Sequence, residues 1–454
     1  MRQMFDPQRH FDWCVGSRAK IVLEYEKKYN RVSGILDEKP ELLDLVHRDL
    51  KPLTRGSPRG RKADFTSENI LRALIVHQIE GTSLRETMVR LAHSAFLQGF
   101  VRLGTRKVLD YTLLDKCFKV IQPETWHKLN DALRDYAVAN GRLDPSTLRV
   151  DTTVVEANIH WPTDSSLLWD SWRTLYRLLD AARVEVPGWI ESRFHEGKVK
   201  KLHLFITRYA VSPSKKRQRK VRKSQRKFLE QVERIVCVSR DFAREAKKTG
   251  DLMLLGIALE IERYLPRIRK VQGAACRAWL KGEVVPAADR IFSIFEDHVE
   301  LIKRGRRHKP VEFGHMVLLG QSPEKFITQY DVMEKKIPDS KLPESVLARH
   351  KEAFGRLPEE LAADKGFCGK PEVMAKLREK VNVLAIPQRL RDWAEDSFVA
   401  LQHFRAGIEG SISVLKRAFG LLRCRYRGFK SFVSNVALGV FCHNLVMLTG
   451  PPGK

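Results

Sequence analysis

The sequence predicts an α/β protein built on a mixed sheet flanked by helices, preceded by an N-terminal helical domain and interrupted by a helical insertion in the core. Three features lead to this reading. Residues 1–140 repeat apolar side chains at helical spacing, Thr147 to Val155 is a β-branched run that reads as a strand, and from residue 306 strand and helix patterns alternate.

In the first segment Ile70, Leu71, Leu74, Ile75 and Ile79 follow Thr66 and Ser67, either of which suits a helix N-cap. Ser83 and Glu86 form a capping-box pattern ahead of an apolar face of Leu84, Met88, Leu91 and Phe96. Asp110 before Tyr111, and Pro123 before Trp126, Leu129 and Leu133, mark two further helix starts. Short helices with basic loops, such as Arg55 to Lys62, suit a DNA-binding module and equally a scaffold with a solvated loop.

Asp144 and Pro145 end the helical texture, and Asp151 falls in the middle of the strand that follows. Strand texture then lapses. Within residues 166–305, Val221, Phe228, Ile235 and Phe242 recur every seven residues, and helical patterns run through Leu252 to Leu265 and Ile291 to Ile302. Packed helices fit better than an extended coiled coil, because the intermediate apolar position is filled in only part of the repeat. Strands return at Val311 to Leu319 and Phe326 to Val332. After them come a helix from Ser345 to Phe354, a short strand Leu361 to Ala363 ending at Asp364, a helix Pro371 to Glu379, a strand Val381 to Ile386 and a helical C-terminus. The expected domains are 1–140, a core in two parts at 141–165 and 306–454, and a basic helical insertion at 166–305.

Lys and Arg number 82 against 55 Asp and Glu, and the net charge of +27 favours a polyanionic partner over an acidic metabolite. No run of 18 apolar residues and no secretion signal is present, which argues against membrane spanning and for nucleic acid. Nine of the thirteen residues from Lys215 to Lys227 are basic, among them Lys215, Lys216, Arg217, Arg219 and Lys220, and a second cluster spans Lys303 to Lys309. Such runs are commonly solvated surface; with this overall charge they read as phosphate contacts without base specificity. The seven cysteines stand singly, which fits reduced thiols, and Cys442 beside His443 reads as core packing.

A carboxylate in or at the end of a buried strand is costly unless it is paired, hydrogen-bonded or metal-bound. Asp151 and Asp364 hold such positions, although an Asp at a strand end often only caps a turn. Arg405, Glu409 and Lys416 share one helical face. As solvated surface this stripe would hold an Arg and Glu pair contributing about 0.2–0.5 kcal/mol; as a site it would offer one metal-binding carboxylate between two phosphate-binding cations. Glu156 lies on the opposite strand face from Asp151, Asp164 reads as a turn or cap, Glu312 and Asp331 lie on other strands as supporting groups, and His315 reads as a structural strand residue.

The spacing R-x3-E-x6-K over Arg405, Glu409 and Lys416, the Asp364 to Phe367 segment, and Val150 to Asn158 closely resemble the signatures of DDE transposases encoded by bacterial insertion sequences. Gln402 stands where that family usually has Tyr. Gly60 through Glu86 to Leu113 is similar to the helical domain preceding such cores. The resemblance implies a ribonuclease H-like core in which Asp151, Asp364 and Glu409 are catalytic and hold Mg²⁺ or Mn²⁺, as two ions, with Asp151 bridging them. It also implies that Arg405 and Lys416 contact DNA, and that water and then the freed 3′ hydroxyl attack phosphorus at the same site. Terminal-repeat and target DNA would be the partners, a homodimer would pair two ends, and the protein would work in the bacterial cytoplasm at the nucleoid. A ribonuclease H-like nuclease without strand transfer and a non-catalytic DNA-binding derivative are the rival readings.

Overall fold

A computed structural model describes residues 19–53, 63–104, 106–303, 309–388 and 396–450. The expected basic loop from Arg55 to Lys62 lies outside the described residues, as do residues 304–308 of the second basic cluster. The chain divides into two compact units, residues 1–158 with 315–454, and residues 159–314.

The first unit begins with seven helices: α1 (Lys20–Glu38), α2 (Pro40–Leu50), α3 (Ser67–Ile79), α4 (Leu84–His93), α5 (Ala95–Val101), α6 (Tyr111–Val120) and α7 (Pro123–Ala139). Their starts follow from side chains that satisfy the first free amides. Thr66 accepts from the Asn69 amide at 3.1 Å while Asn69 accepts from the Thr66 amide at 2.9 Å. Ser83 and Asp110 cap α4 and α6, and Pro123 opens α7. The apolar face expected to run from Leu84 to Phe96 is split between two helices, because Ser94 leaves helical geometry and caps α5 through the Leu97 amide at 3.2 Å. Strand β1 (Thr147–Ala157) follows.

The unit of residues 159–314 packs α8 (Asp164–Glu185), α9 (Glu196–Tyr209), α10 (Lys215–Ala246) and α11 (Leu252–Leu280) around one core. Val221, Phe228, Ile235 and Phe242 all face it, with Trp172, Leu175 and Ile261. The helix expected over Ile291 to Ile302 does not form. The Ser293 hydroxyl accepts from the Phe295 and Glu296 amides, and such local bonds compete with the helical ladder. The segment ends in β2 (Glu300–Lys303), antiparallel to Val311–Gly314.

The chain then forms β3 (Val311–Gln321), β4 (Ile327–Val332), α12 (Pro343–Phe354), β5 (Glu360–Ala362), α13 (Pro371–Arg378), β6 (Val383–Ala385), α14 (Asp396–Ala418), β7 (Arg423–Cys424) and α15 (Phe429–Leu448). The first unit's sheet runs β3-β1-β5-β6, with β4 on β3 and β7 on β1. Pairing of β1 with β5 and of β5 with β6 is parallel, and that of β3 with β4 antiparallel, so the sheet is mixed and the fold α/β.

Helix α15 is long and apolar enough to cross a membrane, yet 78% of its apolar window is buried inside the protein. It packs along α7 with Trp126 and Phe441 ring centroids 6.3 Å apart, and Cys442 and His443 are buried in it. Asn444 holds β4 against it, donating to the Ile327 carbonyl and accepting from the Ile327 amide, both at 2.9 Å. Helix α14 packs across the parallel strands, with Phe398 and Leu401 against Ala362 and Ala385.

Because Phe441 is fully buried, Phe441→Ala should cost about 3–5 kcal/mol in urea unfolding. A loss below about 1 kcal/mol would show that α15 is not packed in this way.

Candidate functional site

Strand β1 carries Asp151 into the first unit with its side chain only 15% exposed. The carboxylate accepts from the Thr152 amide at 2.7 Å, and Arg405 Nη1 approaches its other oxygen at 3.8 Å. Burial raises its pKa from 3.8 to about 6; the Thr152 amide and Arg405 oppose the rise, while the charges of Asp364 and Glu409 add to it. Asp151 on β1 therefore feels the charges of two further carboxylates, one just beyond β5 and one on α14.

Asp364 follows β5 directly, where it caps the single 3₁₀ turn Lys365–Phe367 by accepting from the Gly366 amide at 2.8 Å. Gly366 lies close to two carboxylates: an added Cβ would stand 3.0 Å from Asp364 Oδ1, a tight contact, and 3.5 Å from Asp339 Oδ2. Asp339 is thus a fourth carboxylate beside the cluster, and the Thr152 hydroxyl donates to it at 3.3 Å. It begins the 3₁₀ turn Asp339–Lys341, in a connection without periodicity or motif, and nothing in the sequence singled it out.

Glu409 is 67% exposed and accepts from Arg405 Nη2 at 3.3 Å, whereas the Arg405 side chain is only 17% exposed. Arg405 is therefore no mere surface partner of Glu409; it lies between Glu409 and Asp151. Lys416 follows on the same helix and is partly buried. Gln402 is buried and donates to the Ala363 carbonyl at 3.1 Å and to that of Ala385. It fastens α14 to the residue immediately before Asp364.

The other acidic residues have separate partners. Glu156 pairs with Arg423 at 2.8 Å, Asp164 with Arg290 at 2.6 Å, Asp331 with Arg349 at 2.7 Å and Glu312 with Lys309 at 3.4 Å. His315 is buried, with Nδ1 2.9 Å from the Met333 carbonyl oxygen.

In the unit of residues 159–314, Lys215, Lys216, Arg217, Arg219 and Lys220 are exposed on the first turns of α10. Among the described residues none of the five pairs with a carboxylate, and Arg217 rests over the Tyr209 ring at 5.1 Å. Their helix is held by its opposite face, through buried Val221 and Phe228. Helix α9 adds exposed Lys198, Lys200, Lys201 and Arg208, which sequence reading overlooked because they are spread along an amphipathic helix. Residues 196–227 hold thirteen Lys and Arg against one acid, Glu196.

Among the described residues no three His, Cys, Asp or Glu side chains stand close enough together to hold an ion. The donor chemistry nevertheless fits a hard divalent cation. The set is all oxygen, and Asp151, largely buried beside two further carboxylates, has less positive charge around it than negative.

Residues 307–445 match the family described as the transposase DDE domain. The match takes in Asp364 and Glu409 and begins after Asp151. No curated protein and no solved structure matches the chain.

The state of Asp151 has a measurable effect on stability. Its folded pKa lies above the unfolded value, so the folded protein holds a proton the unfolded chain has released between pH 3.8 and about 6. That stabilisation is complete below pH 3.8 and is lost as the pH rises through about 6. Asp151→Asn should therefore be more stable than the wild type at pH 8 without metal, by up to about 3 kcal/mol, and equal to it near pH 4. Urea unfolding at the two pH values checks this; a gap independent of pH would mean that Asp151 is not electrostatically strained.

Proposed function

We propose that this chain, whose residues 307–445 carry a transposase DDE domain, is the transposase of an insertion sequence: it cleaves DNA at the element's ends and joins them to target DNA on a ribonuclease H-like core. The observation that carries the reading is the electrostatic linkage of Asp364 and Glu409 to the largely buried Asp151, with Arg405 between two of them. A structural carboxylate would be expected to have one cation or one cap and nothing more; Asp151 has the Thr152 amide and Arg405, and faces two like charges as well.

Transposases of this family generally use divalent metals. In this chain Asp151, Asp364 and Glu409 would hold Mg²⁺ or Mn²⁺, as two ions. When bound, the ions polarise the scissile phosphate and lower the pKa of the attacking hydroxyl. Arg405 and Lys416 orient the phosphate from α14, and electrostatic positioning of this kind supplies most of the acceleration in phosphoryl transfer. Gln402 supports Asp364 by holding α14 to the end of β5. Water is the first nucleophile at the element's end, where the P–O3′ bond breaks and frees a 3′ hydroxyl; that hydroxyl is the second, joining to a phosphorus of target DNA as the target's own 3′ oxygen leaves.

The cations of α9 and α10 bind the DNA backbone. Thirteen cations against one acid form a patch that duplex phosphates neutralise without reading bases. DNA, as terminal repeats and target, is the partner; two copies of the chain pair two ends; and work on DNA places the protein at the bacterial nucleoid, in the cytoplasm.

Asp151→Asn, Asp364→Asn and Glu409→Gln should each abolish Mg²⁺-dependent cleavage of DNA carrying the sequences that flank the gene, while leaving binding of that DNA within about twofold. Normal cleavage by one of them would remove that residue from the site. Cleavage without joining of paired ends in the wild type would indicate a nuclease. For the basic helices, replacing Lys215, Lys216 and Arg217 with Ala should flatten the log-log salt dependence of DNA affinity, by about 0.9 for each phosphate the variant no longer neutralises. An unchanged slope would return these residues to plain solvated surface.

A further inference from the structure

Arg149 stands two residues before Asp151 on β1, and Gly407 stands two residues before Glu409 on α14. The two meet. Arg149 is 4% exposed and has no carboxylate partner among the described residues. Its Nε and Nη2 donate to Gln321 Oε1 on β3 at 2.9 and 2.6 Å, and its Nη1 donates to the Phe404 carbonyl of α14 at 2.6 Å. The guanidinium carbon lies 4.4 Å from the Phe404 ring centroid. A Cβ on Gly407 would overlap Nη1 and sit 3.3 Å from Cζ.

A buried guanidinium without a counter-ion is costly, and burial lowers its pKa to about 10. A glycine inside a helix is also costly, by roughly 0.5–1 kcal/mol relative to Ala. Each residue is unfavourable alone, and each is explained by the other: the absent side chain makes the space, and the planar three-donor fork fills it. The exchange is reciprocal. Arg149 of the strand reaches the helix near Glu409, and Arg405 of the helix reaches Asp151 of the strand.

We propose that Arg149 and Gly407 form a lock that sets the position of α14 on β1, and so the placement of Arg405 and Glu409 opposite Asp151. Arg149 is a positioning residue: it touches β3 and α14, and acts on the site through them. The consequence for metal binding rests on the function proposed above; the lock itself does not.

Thermal unfolding of a mutant cycle tests the lock. Gly407→Ala should lower the melting temperature when Arg149 is present and raise it in the Arg149→Met background, where the extra methyl has space and alanine favours the helix. The same sign in both backgrounds would overturn the proposal. Placement is read by hydrogen exchange and Mn²⁺ binding in folded Arg149→Gln. Amides from Phe404 to Glu409 should exchange at least tenfold faster while those of α7 and α15 stay unchanged, and Mn²⁺ affinity should fall on the order of tenfold, the usual effect of removing a group that orients metal ligands. Arg149→Lys should not restore either, since the donors of a single nitrogen cannot reach Gln321 and Phe404 with the geometry of the planar fork. Unchanged exchange at Phe404 to Glu409 would overturn the proposal, as would wild-type Mn²⁺ affinity. A wild type with no Mn²⁺ binding sensitive to Asp151→Asn would defeat the metal reading instead, and the cycle and the exchange would then decide the lock.

Discussion

The site depends on how closely α14 can approach the parallel strands. Ala362, Ala363 and Ala385 present almost no side chain at the ends of β5 and β6, and all three are fully buried. Their smallness lets Phe398 and Leu401 fill the space above the sheet and brings the Gln402 amide within reach of two strand-end carbonyls. Gln402 pairs the Ala363 carbonyl, and adds a second donor to the Ala385 carbonyl, which already accepts from the Ala363 amide at 3.1 Å. Once the helix is seated there, periodicity puts Arg405 and Glu409 on the same side as Gln402. A larger residue at Ala362 or Ala385, the two alanines packed against Phe398 and Leu401, would lift the helix and move the cation and the carboxylate with it.

Much of this was legible because it was local. Thr66, Ser83, Asp110 and Pro123 announced helix starts through capping chemistry that acts within three residues. The strand around Asp151 followed from a β-branched run after a turn signal, and the segment carrying Arg405 and Glu409 fell in the expected helical C-terminus. What escaped was set by contacts between distant segments. Asp339 was invisible because its neighbours in space, Thr152 and Gly366, are remote in sequence and its own segment has no pattern. Neither Arg149 nor Gly407 carries a local signal, because what joins them is a contact between segments far apart in the sequence. Residues 291–302 misled in the other direction: Ile291, Phe292 and Ile294 are buried as a helical pattern would demand, but Ser293 turns the backbone.

The chain's positive charge is unevenly spread. Residues 196–227 concentrate cations on helices anchored by a separate apolar core. Asp151, by contrast, is in a setting short of cations, where burial and like charge leave Arg405 as its one close basic neighbour among the described residues. One region is arranged to attract an anion and the other to attract a cation, so a polyanion would meet complementary potential in the first and need an intermediary in the second.

The parallel pairing of β1 with β5 joins residues far apart in synthesis: 213 positions separate Thr147 from Glu360. On the ribosome β1 emerges long before its neighbour, with a row of open amides and carbonyls on that edge. The residues between them include a unit with its own core, which can condense while β1 waits. A condensed intervening unit shortens the effective loop that must close, so the entropy lost on joining β1 to β5 is smaller than 213 free residues would impose. The insertion thus bears on the birth of the protein, since the order in which the two cores mature decides how long a sticky strand stays unpaired.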